Sequence, residues 1–224
     1  MNNSGTINDY VDAHSGELVF VMGNSASLNE VDLSLLTDYT SIGVQRILET
    51  YEPSYVFIVD TKVIEDQYEN MNAVSGRIPL ILFPWKMGSK MRKLYPGPWI
   101  SSGDIHPRGD PEAKTGPLAM PPCGGSGYEA ACIAYRMGAK TIAMIGEDLY
   151  WPKGKTHCFG SGKSRGCKLG DSKKKLESFR ELKRLYKRRG VGLVSVSPWK
   201  TPLRDALGYI PLPTLIEQNG EIKC

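Results

Sequence analysis

Short apolar runs at residues 18–22, 41–44, 56–60, 80–83, 141–145 and 193–196 constrain this chain more than any other feature, because helical patterns separate most of them. Strands that alternate with helices pair in parallel, and a parallel sheet needs helices on both faces. The expected fold is therefore α/β: one Rossmann-like domain over residues 17–224 with a mainly parallel sheet. Residues 1–16 are polar and are expected to be frayed or laid over the surface. At 224 residues the chain can bury a substantial core without disulfides or metals. Residues 95–122 interrupt the alternation, being rich in Pro, Gly and Ser with no clear periodicity. A stretch of that length inside a compact domain is usually functional, so it is read as a lid or acceptor-binding loop.

Two glycine-rich segments mark the ends of apolar runs or the starts of helices. The first, Gly23-Asn24-Ser25-Ala26-Ser27, follows the strand ending at Met22, and residues 29–36 after it have the pattern of a short amphipathic helix with Val31, Leu35 and Leu36 on one side. Glycine lets the backbone approach a ligand, hydroxyls add donors, and unpaired N–H groups at a helix start carry partial positive charge, which suits a phosphate. The second, Pro122-Cys123-Gly124-Gly125-Ser126-Gly127, precedes a strong helix over residues 128–137 that stops at Gly138. Two such segments suggest one ligand held from both sides. Gly146-Glu147-Asp148-Leu149-Tyr150 lies at the end of the next strand, where open α/β sheets place their sites.

Other signals narrow the function classes. Five cysteines, Cys123, Cys132, Cys158, Cys167 and Cys224, are an odd number at unmatched spacings, which argues against a disulfide framework. His157, Cys158 and Cys167 lack the paired spacing of a structural zinc site. Gly160-Ser161-Gly162-Lys163-Ser164 resembles the end of a phosphate-binding P-loop, but His157 stands where that motif requires its first glycine. Neither a secretory leader pattern nor a run of about 18 apolar residues is present, so a cytoplasmic protein without a membrane span is expected. Half of the 28 Lys and Arg residues fall between positions 153 and 189, a field that attracts polyanions or a phosphorylated substrate. Leu176, Phe179, Leu182 and Leu185 give the same stretch a core-facing stripe, so it also reads as the solvated face of a packed helix.

The order of the segments at 23–36, Gly43-Val44-Gln45-Arg46-Ile47, Phe57-Ile58-Val59-Asp60, 125–137, 138–150 and Asp171-Ser172-Lys173 resembles the sialyltransferase-like superfamily over roughly residues 17–198. That group includes bacterial CMP-sialic-acid-dependent transferases, an archaeal 6-hydroxymethylpterin diphosphokinase type and uncharacterised relatives common in phage genomes. The resemblance implies that Gly23, Asn24, Ser25 and Ser27 lie against a nucleotide, with Ser25-Ala26 in place of the family's Gly-Pro. It matches Gln45 and Asp60 to polar ligand residues, Gly125, Ser126 and Gly127 to the Ser-Gly helix start at the nucleotide, and Tyr150 to a donor toward the leaving phosphate. The family's His-Ser-Lys reads Asp171-Ser172-Lys173 here, so the histidine base is absent at that position. His157, in a His-Cys-Phe-Gly that resembles a His-Phe-Tyr-Gly of the uncharacterised relatives, is the favoured base and Asp171 the second. A histidine suits proton transfer at neutral pH better than an ordinary aspartate.

The resulting expectation is an inverting, metal-independent transferase that uses a CMP- or UDP-sugar, has no tightly bound cofactor, and acts in the cytoplasm, that of a host if phage-encoded. One alternative is ATP-dependent pyrophosphoryl transfer, in which Asp60 and Asp148 would hold Mg²⁺. Another is a non-catalytic nucleotide- or nucleic-acid-binding protein that has lost the base.

Overall fold

The computed structural model describes residues 3–82, 95, 97–102, 105–106, 109–119, 125–149, 158 and 169–220. Its strands are β1 (Asn3–Thr6), β2 (Leu18–Met22), β3 (Thr40–Val44), β4 (Tyr55–Ile58), β5 (Leu80–Leu82), β6 (Trp99–Ser101), β7 (Ile105–His106), β8 (Leu118–Ala119), β9 (Thr141–Ile145) and β10 (Gly192–Ser195). Its α-helices are α1 (Thr61–Asp66), α2 (Tyr68–Ala73), α3 (Ser126–Arg136), α4 (Leu169–Arg188), α5 (Pro202–Leu207) and α6 (Leu212–Gly220). Eight strands form one sheet in the order β1-β6-β5-β4-β3-β2-β9-β10, every neighbouring pair parallel, and β7 and β8 form a separate parallel pair. The α/β expectation holds, and the six apolar runs are β2, β3, β4, β5, β9 and the edge strand β10, with ends shifted by at most two residues.

Burial on both faces explains why these runs read as continuous apolar stretches rather than as an alternation. Every residue of β2 is buried. Because side chains alternate across a strand, Val19 and Val21 join one core cluster with Ala130, Ile133 and Ala134 of α3 and Phe179 and Leu182 of α4. Leu18, Phe20 and Met22 meet the opposite layer, built from Leu28, Leu36, Ile64, Met71, Leu212 and Leu215.

Three expectations are corrected. Residues 29–36 are not one amphipathic helix but parts of two 3₁₀ turns, Ala26–Glu30 and Leu33–Leu36. Val31 is extended between them, and the Asp32 carboxylate accepts from Ser34 N at 3.1 Å, starting a second turn in competition with continuation of the first. The N-terminal segment is part of the fold rather than frayed or merely laid upon it. β1 pairs with β6 at the sheet edge, Ile7 is only 1% exposed, and the N–H groups of Asp12, His14 and Gly16 donate to the carbonyls of Arg136, Met137 and Gly138. The stretch 95–122 is not without regular structure, since β6 lies in the main sheet and β7 and β8 pair beside it. Arg136, 1% exposed, fixes it by donating to the carbonyls of Gly116 at 2.6 Å and Pro117 at 2.8 Å. Residues 96, 103–104, 107–108 and 120–122 of the stretch lie outside those described.

The described part of the basic stretch is α4. Phe179, Leu182 and Tyr186 are buried on its inner side, while Arg180 and Arg184 pair with Glu177 and Glu181 on the outer side. The core-facing stripe is therefore real, and part of the positive field is neutralised locally.

Candidate functional site

From β2 the chain runs through β3, β4, β5 and β6 toward one edge, then crosses back to place β9 on the other side of β2. That reversal between β2 and β9 is a topological switch point, and the carboxyl ends of the strands beside it form the crevice in which such sheets bind ligands. The residues there are Gly23 to Ser27 after β2, Gln45 after β3, Asp60 after β4 and Gly146 to Leu149 after β9, with the start of α3 above them. The β2 and β9 loops are tied by Gly23 N donating to Ile145 O at 2.8 Å and Ser25 N to Gly146 O at 2.7 Å.

The two glycine-rich segments meet at a single carboxylate. A Cβ added at Gly23 would stand 2.8 Å from Glu147 Oε2, and one added at Gly127 would stand 2.6 Å from the same atom. The loops after β2 and before α3 are thus adjacent as expected, but what lies between them is the side chain of Glu147. Gly23 has a further constraint, because its Cβ would overlap the carbonyl oxygen of Gly146.

Asn24 and Gln45 carry unsatisfied acceptors. Asn24 Nδ2 donates to Val44 O at 2.8 Å, which fixes the amide's orientation and leaves Oδ1 buried without a partner among the described residues. Gln45 Oε1 is likewise buried and unpartnered there. Gln45 also holds a left-handed backbone, φ 55°, pinned by its N–H donating to Phe57 O at 2.9 Å. Leu149, φ 53°, is strained in the same way at the end of the β9 loop. Left-handed non-glycine residues persist only where the surroundings hold them, and they gather at binding sites.

Ser25, Ser27 and Asp148 form a separate, inward-facing network. Asp148 is fully buried and its Oδ1 accepts from Ser27 Oγ at 2.7 Å and Ser197 Oγ at 2.9 Å, while its own N–H donates to Ser25 Oγ at 3.1 Å. Burial raises the Asp148 pKa, and the serine hydrogen bonds pull it back down. Ser27, also fully buried, is therefore turned toward Asp148 rather than toward a ligand. Asp60 is exposed and caps α1, its Oδ1 accepting from Lys62 N at 2.9 Å. A magnesium ion does not fit this pair: one carboxylate is shielded and spent on two hydroxyls, and the other serves a helix start.

Two acids were not anticipated as site residues. Glu147 is pushed up to about 7 by burial, with Lys175 of α4 working against the rise and Asp148 adding to it. Glu129 of α3, 3% exposed, is pushed up to about 7 by burial, with Lys175 and a hydrogen bond from the Gly125 backbone opposing it. Glu147 was visible in the Gly-Glu-Asp segment. Glu129 was hidden inside an apolar helical pattern, where only its charge set it apart. Ser126 begins α3 and is partly exposed, and Gly125 is its cap residue. Tyr150 and His157 lie outside the described residues, as does the side chain of Asp171 at the beginning of α4. Cys158, next in sequence to His157, is docked on the first loop: its N–H donates to Asn24 O and its carbonyl accepts from Asn29 Nδ2, each at 2.8 Å. Ser172 Oγ is a third buried atom with no partner among the described residues. No described helix is long and apolar enough to cross a membrane.

No family profile and no curated protein sequence matches the chain. Solved structures do. The sialyltransferase CST-II in complex with a trisaccharide acceptor and CMP is similar at a TM-score of 0.55 and 16% identity, covering 88% of each chain. CstII from Campylobacter jejuni with the substrate analogue CMP-3FNeuAc is similar at 0.55 and 15% identity, again over 88% of each chain. The MAf glycosyltransferase from Magnetospirillum magneticum AMB-1 is similar at 0.54 and 12% identity, covering 94% of this chain and 38% of that one. At these identities the likeness establishes the fold alone: this chain shares its fold with these solved structures.

Proposed function

We propose that the protein is a nucleotide-sugar-dependent glycosyltransferase whose donor lies across the carboxyl ends of β3, β2 and β9. The observation that carries this reading is the pair of buried acceptors, Asn24 Oδ1 and Gln45 Oε1, left without donors at the switch point. An unsatisfied buried acceptor costs about 1–3 kcal/mol, which a ligand donor recovers. The shared fold supports the reading, since similar structures hold CMP or a CMP-sugar analogue.

In this scheme an acceptor hydroxyl attacks the sugar's anomeric carbon in line with the departing phosphate, inverting it. His157 takes the hydroxyl proton, with Asp171 the second candidate, and Tyr150 donates to the leaving phosphate. Stabilising that charge is the main rate contribution such a site supplies. The docking of Cys158 on the Asn24 loop supports His157, because it ties the neighbouring chain to the proposed donor site. The acceptor is a polyanion or phosphorylated substrate in this reading, drawn by the basic stretch.

The test is binding of CMP, UDP, GDP, ADP and ATP to the protein and to Gln45→Gly. Glycine adopts the left-handed backbone freely, so the variant should keep its stability to within about 1 kcal/mol. Its affinity for the preferred nucleotide should fall by roughly 10-fold, the scale of one lost hydrogen bond. Equal affinities in calorimetry would remove Gln45 from the site, and an absence of nucleotide binding would end the proposal.

A further inference from the structure

The space between the two glycine-rich segments is built for a different chemistry from the one their sequences suggest. Gly23 and Gly127 both lack a Cβ where the Glu147 carboxyl stands, and no hydrogen bond from a described residue reaches that carboxyl. Glu147 is partly exposed as a residue, while its carboxyl packs against both glycines at the ends of these strands. Along the ends of the adjacent strands β9, β2 and β3 the acceptors to which no described residue donates include the Glu147 carboxyl, Asn24 Oδ1 and Gln45 Oε1. All three are acceptors when Glu147 is ionised. A phosphate offers no donor to these three atoms and is repelled by the carboxylate. Hydroxyls donate to each of these atoms. Parallel strands stand about 4.8 Å apart, so consecutive members of this row are separated by roughly the width of a sugar ring.

We propose that Glu147 is a specificity-determining residue that takes a ring hydroxyl of the donor nucleotide, so that a sugar ring and not the phosphate stands against its carboxyl. This rests on the nucleotide-sugar reading above and deepens it. The ring is the ribose or the transferred sugar, which share the chemistry. Glu147, held near 7 by burial, suits this partner in either protonation state, because a hydroxyl donates to a carboxylate and accepts from a carboxylic acid.

The experiment measures affinities of CMP, 2′-deoxy-CMP and 3′-deoxy-CMP, and of the substrate analogue CMP-3FNeuAc, for the wild type, Glu147→Ala and Glu147→Gln. The expected result is coupling: Glu147→Ala weakens the hydroxylated ligand by about 10-fold and leaves the ligand lacking the partner hydroxyl unaffected. Coupling to a deoxy-CMP identifies the ribose. A change in the CMP-3FNeuAc to CMP affinity ratio identifies the transferred sugar. Equal losses for all ligands in a folded variant overturn the proposal, and so does tighter CMP binding by Glu147→Ala or Glu147→Gln, which relief of phosphate repulsion would produce. If Glu147→Ala does not fold, Glu147→Gln carries the same comparison with the carboxyl replaced by an amide of similar size. Wild-type CMP binding without coupling defeats this inference alone, whereas an absence of any nucleotide binding defeats the functional reading as well.

Discussion

Gly23 and Gly127 show how similar glycines answer to different constraints. At Gly127 the nearest atoms to an added Cβ belong to the flexible end of Glu147, at 2.6 and 2.8 Å, whereas at Gly23 the nearest atom is the backbone oxygen of Gly146. A side chain can move aside and a strand-end carbonyl cannot do so without breaking its bond from Ser25 N. Gly127→Ala is thus expected to cost about 1–2 kcal/mol of stability, recovered when combined with Glu147→Ala. Gly23→Ala should cost more, with no recovery in the same double variant. Urea titrations of the four proteins test this, and rescue of Gly23→Ala by Glu147→Ala would show that the carboxyl rather than the carbonyl governs both positions. Ser27 carries a related lesson: its hydroxyl was read from sequence as a ligand contact, but the fold brings it to Asp148, 121 residues away.

At the scale of elements, the N-terminal segment changes most between expectation and structure. Its residues are polar enough to suggest a loose end, yet Ile7 joins the core cluster that includes α3, Tyr10 packs against it, and three backbone bonds hold residues 12–16 to the end of that helix. Ile7→Ala is expected to destabilise the protein by about 2–4 kcal/mol, the scale of a core truncation. A loss under 0.5 kcal/mol in chemical denaturation would mean that the segment contributes nothing to the folded core. β2 and β9 needed no such help to be seen. Both are uninterrupted apolar runs, and both have the residue bounds their sequences suggest. The turns after β2 were misread because spacing alone does not separate an α-helix from 3₁₀ turns divided by an aspartate cap.

For the whole molecule, the two raised carboxyls make stability depend on pH. Glu129 and Glu147 have an ordinary value of 4.5 and sit near 7 in the folded chain. Between those values the folded protein retains protons that the unfolded chain has released, so their contribution is whole below pH 4.5 and is lost as the pH rises through 7. The loss is on the order of 1–3 kcal/mol for each group, Lys175 limiting it. Glu129→Gln should therefore be more stable than the wild type at pH 8 and no more stable at pH 5. A stability difference independent of pH would show that Glu129 does not titrate within the folded range.

The sequence by itself determined the parallel α/β architecture, because residues buried on both faces of a sheet must be apolar along their whole length. It also marked the edge of the sheet where a site belongs, since strands ending in Gly-Asn-Ser and Gly-Glu-Asp place polar groups at their carboxyl ends. Only the tertiary structure decided what those groups do. Whether Asn24 Oδ1 is satisfied depends on Val44, whether Asp148 is available depends on Ser27 and Ser197, and the space between Gly23 and Gly127 belongs to Glu147. Each of these is set by the order in which the strands lie side by side, a long-range arrangement that local spacing along the chain does not encode.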